Sequence, residues 1–316
     1  MTILQAIILG IVQGLTEFIP VSSTAHLIFA SRLTDLYAGV AATLRAEQTT
    51  ATIGVIQLGT LIAVFVYFAA DIWRIARAFL RDHVALIAGR VQPGAPRLSD
   101  DARLGWLIFI GSLPIGIIGL VFKKQIEGTF TKNLWVISIM MVGIAVLLIV
   151  AEYVGKRERT MKQLGLLDAL AVGFAQVLAL IPGASRSGST IMGGLFAGET
   201  RETAARFSFL LSIPAITASG LLELKEAVTK LPAGSALPVG VATAIAGIVG
   251  YISIWFLLRF LRSHSTGVFI AYRIIVGVAI LALLYAGTLQ PLDAQRSTPD
   301  APALIAKRGV TARSDK

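Results

Sequence analysis

Glu17, Pro20, Ser22, Ser23, Thr24 and His26 crowd into one short stretch, EFIPVSSTAH, between the apolar runs ILQAIILGIVQGL and LIFA. A carboxylate and an imidazole beside several hydroxyls could move protons to and from an attacking oxygen. A second stretch, PGASRSGST from Pro182 to Thr190, repeats the pattern with Gly183, Gly188, Ser185, Ser187 and a single arginine, Arg186. The planar fork of an arginine matches phosphate oxygens, and glycines let backbone N–H groups approach an anion closely. Each proline ends a helix, and the hydroxyl residues behind it suit the N-cap of the next one. Two helix N-termini turned towards one cavity, with Arg186 on one of them, would hold a multiply charged anion such as a phosphate.

Gln13 stands one helical turn before Glu17 on the same face. Near a phosphate, Glu17 must be protonated or share a cation, and Mg²⁺ or Ca²⁺ is the natural bridge between carboxylate and phosphate oxygens. His26 titrates near neutrality, and either Ser22 or Ser23 supplies a hydroxyl. Plain structural roles exist for each residue taken alone. Glu17 could pair with Arg186 for packing, His26 could be a satisfied buried histidine, and Ser22, Ser23, Thr24 and Asp168 could be helix caps. His83 and His264 lie in basic connections and read as solvated.

The elements that must position these groups are membrane helices. The chain has 316 residues, 55% hydrophobic and 15% charged, and its mean hydropathy is +0.78. Runs close to the roughly 20 residues that cross a bilayer occur at Ile53–Ala70, Leu104–Phe122, Leu134–Val154, Ala204–Leu222, Val239–Leu258 and Gly267–Ala286. The absence of cysteine excludes disulfides and iron–sulfur clusters, and three histidines do not make a structural zinc site. The first helix lacks a basic leader and a small-residue cleavage site, so it is expected in the mature chain. The net charge of +10 gathers in connections, at Arg74–Arg103 and Lys156–Lys162. No aromatic-interleaved basic stretch accompanies it, so nucleic acid is not the expected partner; these clusters mark cytoplasmic loops and contact with the lipid bilayer.

Leu4–Ala30 and Leu166–Gly198 are long, and proline breaks both. FIPVSST (Phe18–Thr24) aligns with LIPGASR (Leu180–Arg186), each with a glutamine upstream, Gln13 and Gln176. Three spanning candidates follow each break, giving one transmembrane domain over 1–290 with halves of about 1–155 and 156–290. The expected fold is an all-α integral membrane protein of two inverted repeats, each a re-entrant broken-helix hairpin plus three transmembrane helices. Residues 291–316 lack periodicity and are expected to be a disordered tail.

QGLTEFIPVSSTAHL (Gln13–Leu27) and PGASRSGSTI (Pro182–Ile191) resemble the two signature regions of the undecaprenyl-diphosphate phosphatases, the bacitracin-resistance family of bacterial inner membranes. The likeness continues in VIQLGTLIAV (Val55–Val64) and FSFLLSIPAI (Phe207–Ile216). It implies hydrolysis of undecaprenyl diphosphate to the monophosphate and inorganic phosphate, which recycles the lipid carrier for peptidoglycan synthesis. It also implies a divalent cation and a site open to the periplasm, and leaves a homodimer open. The family's Glu/Gln-x-x-x-Glu motif maps onto Gln13 and Glu17, its catalytic histidine onto His26, its proposed serine nucleophile onto Ser23 and its phosphate-binding arginine onto Arg186. The catalytic set is thus Glu17, Ser23, His26 and Arg186; the substrate-binding set is Gln13, Ser22, Thr24, Gly183, Ser185, Ser187 and Gly188, with Glu17 the candidate metal ligand. Gln13 takes the place of a glutamate, which puts a two-carboxylate metal site in doubt, and Ala25 takes that of a glycine before the histidine, which tightens the helix start. Whether Ser23 or His26 attacks stays open, as does the reading of the same pattern as a carrier for a phosphorylated lipid.

The loop charges predict six spans, two re-entrant hairpins and both termini in the periplasm. Since no native cysteine interferes, single-cysteine labelling tests this directly; labelling of a tail position only from the cytoplasm overturns it.

Overall fold

The computed structural model describes residues 1–40, 42–90, 97–122, 133–232 and 234–291, without the side chains of 42, 43, 46, 226 and 228. The described residues form helices: α1 Ile3–Phe18, α2 Ser23–Leu33, α3 Ala42–Tyr67, α4 Ala69–Ile87, α5 Asp100–Val121, α6 Leu134–Val154, α7 Leu166–Val177 with a 3₁₀ turn at Leu178–Leu180, α8 Arg186–Phe196, α9 Arg201–Lys230, α10 Ala236–Leu261 and α11 Gly267–Tyr285. Six of them are long and apolar enough to cross a membrane: α3, α5, α6, α9, α10 and α11. They coincide with the six runs expected from the sequence. The chain is an all-helical, multi-pass membrane protein.

Both proline breaks turn the chain back on itself. Gln5 donates to the carbonyl of Thr34 at 2.7 Å, which brings the end of α2 beside the start of α1. At the second break the backbone N–H of Thr200 reaches the Arg159 carbonyl at 3.0 Å, which closes the far end of the α7–α8 hairpin. The two hairpins open at opposite ends of the bundle. The first opens beside the start of α10, where a Cβ on Gly10 would lie 2.5 Å from the Ala242 carbonyl oxygen. The second opens beside the end of α6 and the starts of α9 and α11, where Glu152 takes hydrogen bonds from Arg201 and from the backbone N–H of Thr266.

Each hairpin packs on a helix of the other half: α1 lies along α10 and α7 along α5, while α3 pairs with α9 and α6 with α11. Small residues make these contacts possible. A Cβ on Gly59 of α3 would sit 2.0 Å from the Thr243 carbonyl oxygen of α10, so the two backbones touch. In lipid, where apolar side chains gain nothing by leaving the solvent, such close backbone packing is what holds helices together. Larger side chains fill the middle, with Phe18 at the tip of α1 edge-on to Phe209 of α9, 5.3 Å between ring centres.

Two expectations are corrected here. The basic connection after Ala70 is not a loop: α4 occupies Ala69–Ile87 and crosses the start of α5, with Ile75 and Phe79 against Gly105. Its Trp73, Leu80, Val84 and Ile87 face outwards beside Arg74, Arg77 and Arg81. This apolar stripe edged with arginines is the composition of a helix lying in the membrane interface. His83 rides on that helix and accepts from the Trp106 indole at 3.0 Å, so it is not simply solvated. The connection Lys123–Asn133, apart from its last residue, and the tail from 292 lie outside the described residues.

Asp168 caps α7 as expected, accepting from the Gly165 N–H at 2.7 Å, and pairs with Arg159. Glu199, in the connection between α8 and α9, is fully buried and neither carboxyl oxygen has a partner among the described residues. Burial, then the nearby Asp168, pushes its pKa up to about 8, against a smaller opposing pull from Arg159. The folded state therefore prefers neutral Glu199, and that preference is full below the ordinary carboxylate pKa and lost as pH rises through about 8. In Glu199→Gln the fall in melting temperature between about pH 5 and about pH 8 should flatten, measured by intrinsic fluorescence; an unchanged slope would show that Glu199 is not the group responsible.

Candidate active site

The tips of the two hairpins meet. Ser22, the N-cap of α2, and Ser185, the N-cap of α8, both hold positive φ, 80° and 69°. That conformation is uncommon for residues other than glycine and gathers at functional sites. The breaks differ by one residue. Ser22 follows Pro20 by two positions and Ser185 follows Pro182 by three, the extra residue being Gly183 at φ 92°. In the fold, Ser23 therefore matches Arg186, each the first residue of its half-helix, where the sequence alignment paired Ser23 with Ser185. Gly183 cannot carry a side chain, since a Cβ would meet the Ile137 carbonyl oxygen at 2.1 Å.

Glu17 is the junction. Its Oε1 accepts from Arg186 Nη2 at 3.0 Å, and its Oε2 accepts from the Ser23 hydroxyl at 2.9 Å and from Gln13 Nε2 at 3.1 Å. Gln13 also donates to Thr60 of α3 at 3.3 Å. Glu17 is buried and Arg186 nearly so. Arg186 spends one nitrogen on Glu17, while Nε and Nη1 are buried without a partner among the described residues, as is Oε1 of Gln13. A buried donor left unmade costs about 1–3 kcal/mol, so these N–H groups are poised for an incoming oxygen.

Other expected groups take different places. His26 hydrogen-bonds neither Ser23 nor Glu17; its Nδ1 lies 2.7 Å from the Ser22 carbonyl and its Nε2 lies 2.6 Å from the Tyr272 hydroxyl. Carbonyl and hydroxyl together favour the proton on Nδ1, leaving Nε2 as acceptor. Ser22 caps through its backbone alone, so no side chain occupies the first N–H groups of α2. Ser185 does cap, accepting from the Gly188 N–H at 3.2 Å, and lies 3.2 Å from Ser187, whose hydroxyl reaches the Ile19 carbonyl at 3.3 Å. Thr24 is exposed. A cavity of about 1070 Å³ between α3, α9 and α10 is apolar and contains none of these residues.

Sequence reasoning missed Arg273. Fully buried in α11, it donates to the carbonyls of Pro20 (3.3 Å), Gly183 (2.9 Å) and Ala184 (3.0 Å), and to Met140 (3.4 Å) and Met141 (3.1 Å) of α6. The signal was present: an arginine within an otherwise apolar span marks a functional place by default. Tyr272 beside it carried no such mark.

These features define a class: a multi-pass helical membrane protein whose charged centre sits where two broken helices meet. The chain belongs to the bacitracin resistance protein BacA family, whose model matches residues 6–279. Undecaprenyl-diphosphatase of Syntrophobacter fumaroxidans is 49% identical over 288 residues, which cover 90% of this chain and 98% of that protein. The protein of that name from Chlorobaculum tepidum is 45% identical over 300 residues, with 92% and 100% covered. One from a Mycobacterium species is 46% identical over 293 residues, with 92% and 99% covered.

Arg273→Lys keeps a charge but can reach only some of the five carbonyls, so the tips should loosen. The expected result is membrane-inserted protein with turnover reduced at least tenfold and a lower melting temperature; unchanged turnover with unchanged stability contradicts the clamp.

Proposed function

We propose that this chain hydrolyses undecaprenyl diphosphate to undecaprenyl phosphate and inorganic phosphate, which returns the lipid carrier to peptidoglycan synthesis and confers bacitracin resistance. Membership of the BacA family and relatives named undecaprenyl-diphosphatase support the reaction. The observation that supports the site is the Ser23–Glu17–Arg186 chain of hydrogen bonds at the meeting of two half-helices.

Our reading of the steps follows from that chain. Ser23 Oγ attacks the terminal phosphorus, its proton passes to Glu17 Oε2, and the bond from that phosphorus to the bridging oxygen breaks. The polyprenyl monophosphate leaves, and Ser23 carries the phosphoryl group. Arg186 turns Nε and Nη1 towards the phosphoryl oxygens, and the N–H groups opening α2 and α8 add positive potential where charge is spread over oxygen. His26 Nε2, freed from Tyr272, accepts a proton from the water that then cleaves the phosphoserine to inorganic phosphate. A divalent cation would fit against Glu17 and the unpartnered amide oxygen of Gln13; when bound it neutralises diphosphate charge. Opposite hairpin openings and cross-half packing support an inverted repeat. The arginine-rich end shared by α4, α6, α9 and α10 supports a cytoplasmic face there, in a bacterial inner membrane, with the site served from the periplasm. Whether two copies associate is open to a mass measurement in detergent.

Phosphate release from farnesyl diphosphate by purified protein tests the reading. Ser23→Ala and Glu17→Gln should each lose about 10²-fold or more in kcat, and Arg186→Lys a comparable factor because a point charge cannot replace the fork. Labelled substrate should leave an acid-stable adduct on Ser23. Wild-type turnover in Ser23→Ala, or an acid-labile adduct on His26, rejects the serine route.

A further inference from the structure

At the end of the bundle where the second hairpin opens there is a separate cavity of about 570 Å³. Arg157, Lys162, Arg201, Arg206 and Arg262 line it, with Glu202 the one acidic side chain on its wall. We infer that this pocket binds the phosphate headgroup of an anionic phospholipid.

Three carboxylates hold the arginines in place. Glu152 takes Nε and Nη2 of Arg201 at 2.9 and 2.7 Å and Nη1 of Arg157 at 3.2 Å. Glu202 takes Nε of Arg262 at 2.9 Å, and Asp71 takes Nη2 of Arg206. The Arg206 guanidinium also lies over the Phe68 ring, 5.4 Å from its centre, which fixes it further. Lys162 has no ion pair among the described residues. Five cations against three carboxylates leave an excess of positive charge on a rigid wall, and each guanidinium keeps N–H groups beyond its carboxylate contact. The start of α9, capped by Thr200, opens at the same wall and adds its N-terminal field.

The position selects a lipid over a soluble anion. The pocket lies between the first turns of α9 and the last of α10, whose bodies are membrane spans. Met161 and Leu261 complete the wall with apolar surface beside the charges. Tyr67, the last residue of α3, stands on the same side of the bundle, where tyrosines mark the membrane–water boundary. A phosphate here sits at headgroup depth, with its acyl chains free to run down the outer faces of α9 and α10. Basic pockets between spanning helices take phospholipid headgroups in this way. None of the lining residues belongs to the Glu17–Arg186 centre, so the assignment stands apart from the proposed reaction.

The test titrates the full chain in neutral detergent with dioctanoyl phosphatidylglycerol, dioctanoyl phosphatidylcholine and inorganic phosphate. Phosphatidylglycerol should bind one equivalent, more tightly than the other two. The double variant Lys162→Ala/Arg262→Ala should bind it about 30-fold more weakly, as expected for two charges at a membrane surface, and should keep the farnesyl diphosphate turnover of the parent. Arg186→Ala should lose turnover and keep phosphatidylglycerol binding, which separates this pocket from the catalytic centre. Inorganic phosphate binding as tightly as the lipid, equal binding of both lipids, or a double variant that melts like the parent and binds phosphatidylglycerol unchanged each overturns the assignment. Should the double variant fold poorly, Arg262→Gln alone, exposed and distant from the core, must still weaken phosphatidylglycerol binding about fivefold.

Discussion

Arg273 makes the meeting of the two hairpins possible. Each proline break strips carbonyls of their helical partners inside a protein that lies in hydrocarbon, where an unsatisfied polar group costs several kcal/mol. One guanidinium reaches the carbonyls of Pro20, Gly183 and Ala184 and two more on α6. Its own charge is compensated only by those carbonyl dipoles among the described residues. The arrangement sets the distance between the two half-helix starts, and through it the distance between Ser23 and Arg186. The rest of the centre inherits its geometry from this clamp.

Glu17 ties that geometry to the charged centre. A lone carboxylate at this depth would repel an anion, and a lone arginine would be costly to bury. Joined at 3.0 Å they neutralise each other, and the pair still leaves two guanidinium nitrogens unspent. The packing role considered for Glu17 and the catalytic role proposed for it rest on the same contact.

Much of this was legible in the residues. Hydropathy located all six spans, and the paired prolines located both hairpins, because span length and helix breaking are local properties. The members of the centre on α1, α2 and α8 were found for the same reason: their types conflict with their apolar surroundings. Their partners were harder to see. His26 follows Ser23 by one helical turn, which suggested a pair, but the positive φ of Ser22 swings the start of α2 so that Ser23 faces Glu17. That depends on a backbone angle no residue type announces. Tyr272 and Thr60 joined the site through packing of α11 and α3, and α4 was mistaken for a loop because its arginines were read as topology signals without asking which face they lined.

The exchange of packing partners between the halves has a consequence for how the protein is made. The α1–α2 hairpin leaves the ribosome ahead of the helices that follow it, yet its flat face of Gly10 and Gly14 fits against Ala242, Ala246 and Gly250, which are synthesised more than two hundred residues later. Until then that face of α1 has no partner to cover it. The nascent first half must therefore wait, loosely inserted, for the last third of the chain, so assembly is a single late event rather than the docking of two finished halves. Truncations that spare Glu17, Ser23, His26 and Arg186 but remove α10 would leave α1 without the surface that seats it.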